Sequence, residues 1–274
     1  MAITSLDGWV ASAKQYFSFA KLAARTTVAT GWFSLFDVVG SPGAGVLAGT
    51  STTVGVVPTS ETVGCPRIGA FGGGATGYLS QVDFGSSVAC RLKILDMLFK
   101  AGAYAFTAAT TTLASQPSFS SRVPGGTDFT DTQVWIEVST AFVTGNSWQV
   151  RVTYTNQAGM TGRTTTITPA LNAAALTLGR MYQLPLQSGD TGVQAIESVI
   201  VTNGGTAMTA GAFNVLVLRP LWTGRVRSAN DGDVHGLDKT AMPVVYADSA
   251  LVVAVSSDGT SSGIPELEFV VANG

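Results

Sequence analysis

The sequence predicts a mainly β protein: an antiparallel β-sandwich, jelly-roll-like, with one N-terminal α-helix. Three observations point there. Gly accounts for 32 of 274 residues, about 12% against a usual ~7%, and Thr, Ser and Val fill many other positions. Gly supplies the positive φ of tight turns, and β-branched residues suit a pleated surface. Runs of alternating apolar and polar residues also recur at short spacing, separated by Gly, Pro and Asn, and they are not interleaved with helical patterns as βαβ units would be.

In chain order, Ser5 caps a helix read through residue 22. Trp9, Ala13, Tyr16, Phe17 and Ala20 fall at spacings of three and four, with Lys14 and Lys21 on the other side and Gly8 weakening the first turn. Residues 1–25 are therefore read as a helical arm, and 26–274 as a single β-sandwich domain. The period changes to two over 26–36 and stops at Gly40-Ser41-Pro42-Gly43. Residues 45–77 read as long loops with short strands, and 78–84 as the next strand. Residues 90–99 fit two templates, since Val88, Leu92, Leu95 and Phe99 form a helical stripe while Leu92 and Ile94 alternate with Arg91 and Lys93. The β character of both flanks favours a strand. After a polar connection over 117–131, residues 133–139 and 147–154 alternate clearly, and Gly145-Asn146 between them reads as a hairpin turn. Further strands are expected at 162–168, 181–186, 195–202, 212–218, 243–255 with a break near Asp248, and 265–272.

Charge is scarce. The 15 basic and 17 acidic residues make up 12% of the chain, half of the roughly 25% usual in soluble domains. A net charge of −2 and a pI of about 5.3 argue against nucleic-acid binding, which needs a clustered basic face. Mean hydropathy is +0.32, yet the longest apolar run, Ala250-Leu251-Val252-Val253-Ala254-Val255, is far short of the ~20 residues of a spanning helix. The start, Met1-Ala2-Ile3-Thr4-Ser5-Leu6-Asp7, has neither a basic n-region nor an apolar h-region, so the expectation is a protein made and kept in a cytoplasm. Cys65 and Cys90 match no zinc or redox spacing. Two buried thiols are favoured over a disulfide, and a bridge formed later in oxidising surroundings stays open.

Candidate chemistry is thin. A single histidine, His235, removes most metal and proton-shuttle arrangements. Asn230-Asp231-Gly232-Asp233, followed by Asp238, is the densest carboxylate cluster, with Asp231 and Asp233 as weak metal candidates. It lacks the EF-hand order and reads as a solvated turn. Asp128 and Asp131 have no partner base nearby in sequence. Gly72-Gly73-Gly74 lacks the Lys-Ser/Thr of a phosphate loop. Among Trp32, Trp135, Trp148 and Trp222, the second and third sit in apolar strands and read as core, while Trp222 after Arg219-Pro220-Leu221 is the best candidate for exposure. No catalytic residue and no cofactor is expected.

Three stretches carry a resemblance: Ile3-Thr4-Ser5-Leu6-Asp7-Gly8-Trp9; Arg91-Leu92-Lys93-Ile94-Leu95-Asp96-Met97-Leu98 with Ala101-Gly102-Ala103-Tyr104; and Val217-Leu218-Arg219-Pro220-Leu221-Trp222. The chain resembles uncharacterised virion structural proteins of tailed bacteriophages over most of its length. The resemblance implies a non-enzymatic, head-associated capsid decoration or cement protein, assembled in the host cytoplasm, whose partners are itself as a homo-oligomer and the major capsid protein or another virion protein. A tail, collar or receptor (glycan)-binding virion protein is the alternative. The low charge agrees, because permanent interfaces exclude charges that are costly to desolvate. The expected interface residues are Trp9, Tyr16 and Phe17 on the helix, with Trp222 and Arg225.

Overall fold

The computed structural model describes residues 3, 5–72 and 75–274. In chain order these form α1 (Leu6–Ala11), β1 (Lys14–Lys21), β2 (Trp32–Ser34), β3 (Gly40–Ser41), β4 (Gly77–Ser86), β5 (Cys90–Tyr104), β6 (Ala109–Thr112), β7 (Gln133–Thr140), β8 (Trp148–Asn156), β9 (Arg163–Thr164), β10 (Arg180–Leu184), β11 (Val193–Asn203), β12 (Ala212–Val226), β13 (Asp231–His235), α2 (Leu237–Thr240), β14 (Val244–Val245), β15 (Leu251–Ser257) and β16 (Pro265–Asn273). The expected class, mainly β with antiparallel sheets, is the observed one.

Six strands close a barrel in the order β10-β2-β15-β5-β12-β7. A second sheet runs β13-β4-β16-β1-β3, with β14 also on β4, and a third runs β6-β11-β8-β9. The barrel strands alternate between a core shared with one another and a wall buried under a neighbouring sheet. Leu95, Met97, Trp135, Leu216, Leu218 and Val252 pack together on one side of these strands. On their other side, Leu92, Ile94, Leu251 and Val253 meet Phe19, Phe84, Leu267 and Phe269 of the β4 sheet. Farther along, Val134, Ile136, Val138 and Val215 meet Val150, Val152, Ile196 and Val199 of the β11 sheet.

The predicted helical arm is corrected. Helix α1 ends at Ala11, with Ser5 Oγ accepting from Gly8 N at 3.0 Å and the Lys14 ammonium donating to the carbonyls of Trp9, Val10 and Ser12. Residues 14–21 are a strand paired along β16, from Lys14 opposite Ala272 to Ala20 opposite Glu266. The aromatic stripe counted as helical also alternates: Tyr16 faces out, while Phe17 stacks on Phe269 at 5.1 Å and Phe19 is buried. Pairing with β16 buries Phe19, half-buries Phe17 and satisfies a sheet edge, which outweighs local helical preference.

The predicted hairpin at Gly145-Asn146 is also corrected. Strand β7 lies between β10 and β12 in the barrel, whereas β8 lies between β11 and β9. Gly145, at φ +109°, passes so close to residues 207 and 208 that a Cβ would lie 2.6 Å from Met208 Cγ. The chain crosses there from one layer to the next. Of residues 26–36 only Trp32–Ser34 is strand, and β12 runs on past the expected end at 218 to Val226, through register shifts around Leu218 and Pro220.

Layers covered on both faces trap polar groups, and these are joined internally. Asp96 on β5, fully buried, pairs with Arg122 and with Arg219 of β12 at 3.3 Å, and accepts from Ser249 Oγ at 2.8 Å. Arg122, also fully buried, donates to the carbonyls of Pro58 and Met97, tying two loops to the barrel. Glu137 on β7 accepts from Asn214 Nδ2 at 3.1 Å, and burial pushes its carboxyl up toward the neutral acid. Removing a buried charge partner costs about 3–5 kcal/mol. We expect Asp96→Ala to lose stability on that scale in urea unfolding. Glu137→Gln, which mimics the form burial already favours, should stay within about 1 kcal/mol of the parent.

Candidate functional site

The expected interface residues separate once placed. Trp222 is a correction: it is 4% exposed, on the barrel wall beneath the β4 sheet, because β12 continues through it. Its indole packs edge-on to Phe84 at 4.7 Å and donates to His235 Nδ1 at 2.9 Å. The same hydrogen bond occupies His235, whose Nε2 lies 3.6 Å from Asp233 Oδ2. Phe17 likewise faces inward. Trp9 is half-buried on α1 under the Lys14 ammonium, 4.6 Å from the ring. Tyr16 is 75% exposed and Arg225 is exposed, so these two remain available to a partner.

Asp231 and Asp233 lie on edge strand β13, not in a turn. Asp231 accepts from Gly232 N and Ser228 Oγ, and Asp233 from Val234 N with the Lys239 ammonium at 3.6 Å. Among the described residues no group of three or more His, Cys, Asp or Glu side chains is arranged to hold a metal. Charges on an edge strand deter pairing with another chain. Asp128 is spent on Thr130 N. Gly73 and Gly74 lie outside the described residues. Cys65 and Cys90 are free and buried, and burial pushes the Cys65 thiol up to about 12.

Strand register creates two charged features that sequence spacing does not reveal. Arg225 sits directly opposite Arg91 across β12 and β5, both exposed. On the outer face of the β4 sheet, Glu268 sits directly opposite Asp83, and Glu266 is two residues from Glu268 on the same face. None of these five has a salt-bridge partner among the described residues. Like charges directly opposite destabilise a sheet. The signal in sequence was only the single exposed-looking Arg225, since its neighbour depends on register.

Sequence reading also missed the constellation around Asp190. Its carboxylate takes Arg163 Nε at 2.9 Å and Nη2 at 3.1 Å, Tyr154 OH at 2.7 Å and Asn156 Nδ2 at 2.7 Å. Tyr154 OH in turn accepts from Gln187 N at 2.9 Å. Both carboxylate oxygens are fully engaged, so the group fastens the 185–192 segment to β8 and β9 and offers no free base.

No protein-family profile matches the chain, and no curated protein does. Among solved structures, the VP2 subviral particle of infectious bursal disease virus is similar at 9% identity, over 96% of this chain and 80% of that one, with a TM-score of 0.22. A mutant VP2 of the same virus, from derived T=1 particles, gives 11% identity over 96% and 77%, with a TM-score of 0.16. Superposition at that level establishes neither fold nor role.

The Arg163 guanidinium, with Tyr154 and Asn156, lowers the Asp190 carboxyl to about 2, below the ~3.9 of an unfolded Asp. Its stabilisation is complete above that unfolded value and is lost as pH falls from about 4 toward 2. Thermal melts across this window should show a decline in the parent that Asp190→Asn flattens, the variant being less stable at pH 7.

Proposed function

We propose that the chain is a non-enzymatic structural subunit of a virus particle that associates with copies of itself. The observation that carries this is the pair of opposed like-charge features, Arg91/Arg225 on the barrel and Asp83/Glu266/Glu268 on the β4 sheet. Each is unfavourable by itself, and each is relieved when the oppositely charged face of a second copy covers it. Head-to-tail contact of this kind closes rings or extends along a lattice. The general surface supports the reading. Seven of the 32 charged residues are buried, leaving 25 on 11,213 Å² of surface that also exposes Tyr16, Leu22, Val39 and Val63.

Within that class, the resemblance of the stretches around Trp9, Arg91 and Arg219 favours a bacteriophage head decoration or cement protein bound to the major capsid protein. The glycan-binding alternative loses its best aromatic, because Trp222 is buried.

Sedimentation of the purified chain should show association that weakens with salt. Arg91→Glu with Arg225→Glu should weaken it at least threefold, and adding Asp83→Lys with Glu268→Lys should restore it. Salt-independent association, or no rescue, would remove the charge pairing from the account. Mass spectrometry of purified particles separates the placements: decoration predicts copy numbers comparable with the major capsid subunit, and a collar or tail role a small ring.

A further inference from the structure

A recess lies away from both charged features, where the loop following β3 folds back on β5. It encloses 490 Å³, within the range of small-molecule sites. Its walls are mainly aliphatic, formed by Val46, Val56, Val57, Val63 and Met97 with the single ring of Phe36, and three threonines also line it. The loop is seated by backbone hydrogen bonds in both directions between Val56 and Lys100. Gly55 is required beside it, since its φ is +75° and a Cβ would lie 2.3 Å from the Phe99 ring.

One cation is set into this wall. Lys100 is 6% exposed, and its Nζ donates to Val46 O at 2.8 Å, with the Phe36 ring centroid at 5.3 Å. An ammonium has three N–H donors, and that is its one hydrogen bond among the described residues. The carboxylates whose charge reaches it are Glu137 and Asp37, with the Cys65 thiol also near. Asp37 is paired to Arg25, and Glu137 is pushed toward its neutral acid. Burial lowers the Lys100 pKa, and Glu137 and Asp37 oppose that shift.

We propose that this recess binds a free medium-chain aliphatic carboxylate, its anionic head on Lys100 Nζ and its unbranched tail between Val46, Val56, Val57 and Val63. The walls offer an unbranched tail mostly aliphatic contact, and Lys100 is the one charged side chain among them. The lysine supplies the one charge that a buried head group needs.

Calorimetric titration of the full chain with decanoate, kept below its micellar range, tests the assignment. Decanoate should bind in a 1:1 ratio, and decanol, with the same tail and no charge, at least about tenfold more weakly. Val63 is 67% exposed at the rim, so Val63→Trp can block the recess without touching the core. It should abolish decanoate binding while leaving the melting temperature unchanged, and Lys100→Met should erase the preference for decanoate over decanol. Absent binding by the parent, equal affinity for the two probes, or undiminished binding by a folded Val63→Trp would each overturn the assignment.

Discussion

A barrel strand whose inner side faces a closed core and whose outer side lies under another sheet has no wet face. Strands β5, β7, β12 and β15 meet that condition over most of their length, and their sequences are accordingly apolar on both sides. Any polar group placed there must find its partner within the protein, since desolvation without a hydrogen bond is costly. Asp96 resolves this by gathering two arginines and a serine from separate parts of the chain. The resulting knot also fixes where the loops over 58 and 122 can lie, and so shapes the recess beside Lys100. The register shifts in β12 follow from the same demand, because one strand has to serve the β11 layer at its start and the β4 layer at its end.

That arrangement determined what could be read from the residues. Strands with one covered face, such as β4, β8 and β16, alternate cleanly and were legible with nearly their observed limits. Residues 90–99 fitted both helix and strand because the alternation with Arg91 and Lys93 stops at Ile94, beyond which both faces of β5 are buried and no polar phase marks the period. β1 was misread for the opposite reason, as its aromatics satisfy both periods and only the distant partner β16 decides between them. The supposed hairpin failed because Gly145 signals a change of direction without saying whether the next strand returns to its neighbour or leaves for another layer.

Site residues divide along the same line. The exposure of Arg225 follows from its charge, but its opposition to Arg91 arises from a register set by bulges that no local pattern encodes. Trp222 was placed on the surface because Pro220 looked like the end of a strand, whereas β12 accommodates that proline at a bulge, where proline is tolerated. The low charge of the chain likewise acquires two origins. Seven ionic groups lie inside and join the layers, and five of the exposed ones form the two opposed features.

The pairing of β1 with β16 has a consequence for biosynthesis. Residues 14–20 find their partners at 266–272, so the amino-terminal strand emerges from the ribosome long before anything exists to pair with it. Its exposed edge and its inward rings, Phe17 and Phe19, must wait for nearly the whole chain to be translated. Closure of this sheet therefore rests on contacts between distant segments, the kind of pairing that folds slowly and leaves strand edges exposed in the meantime.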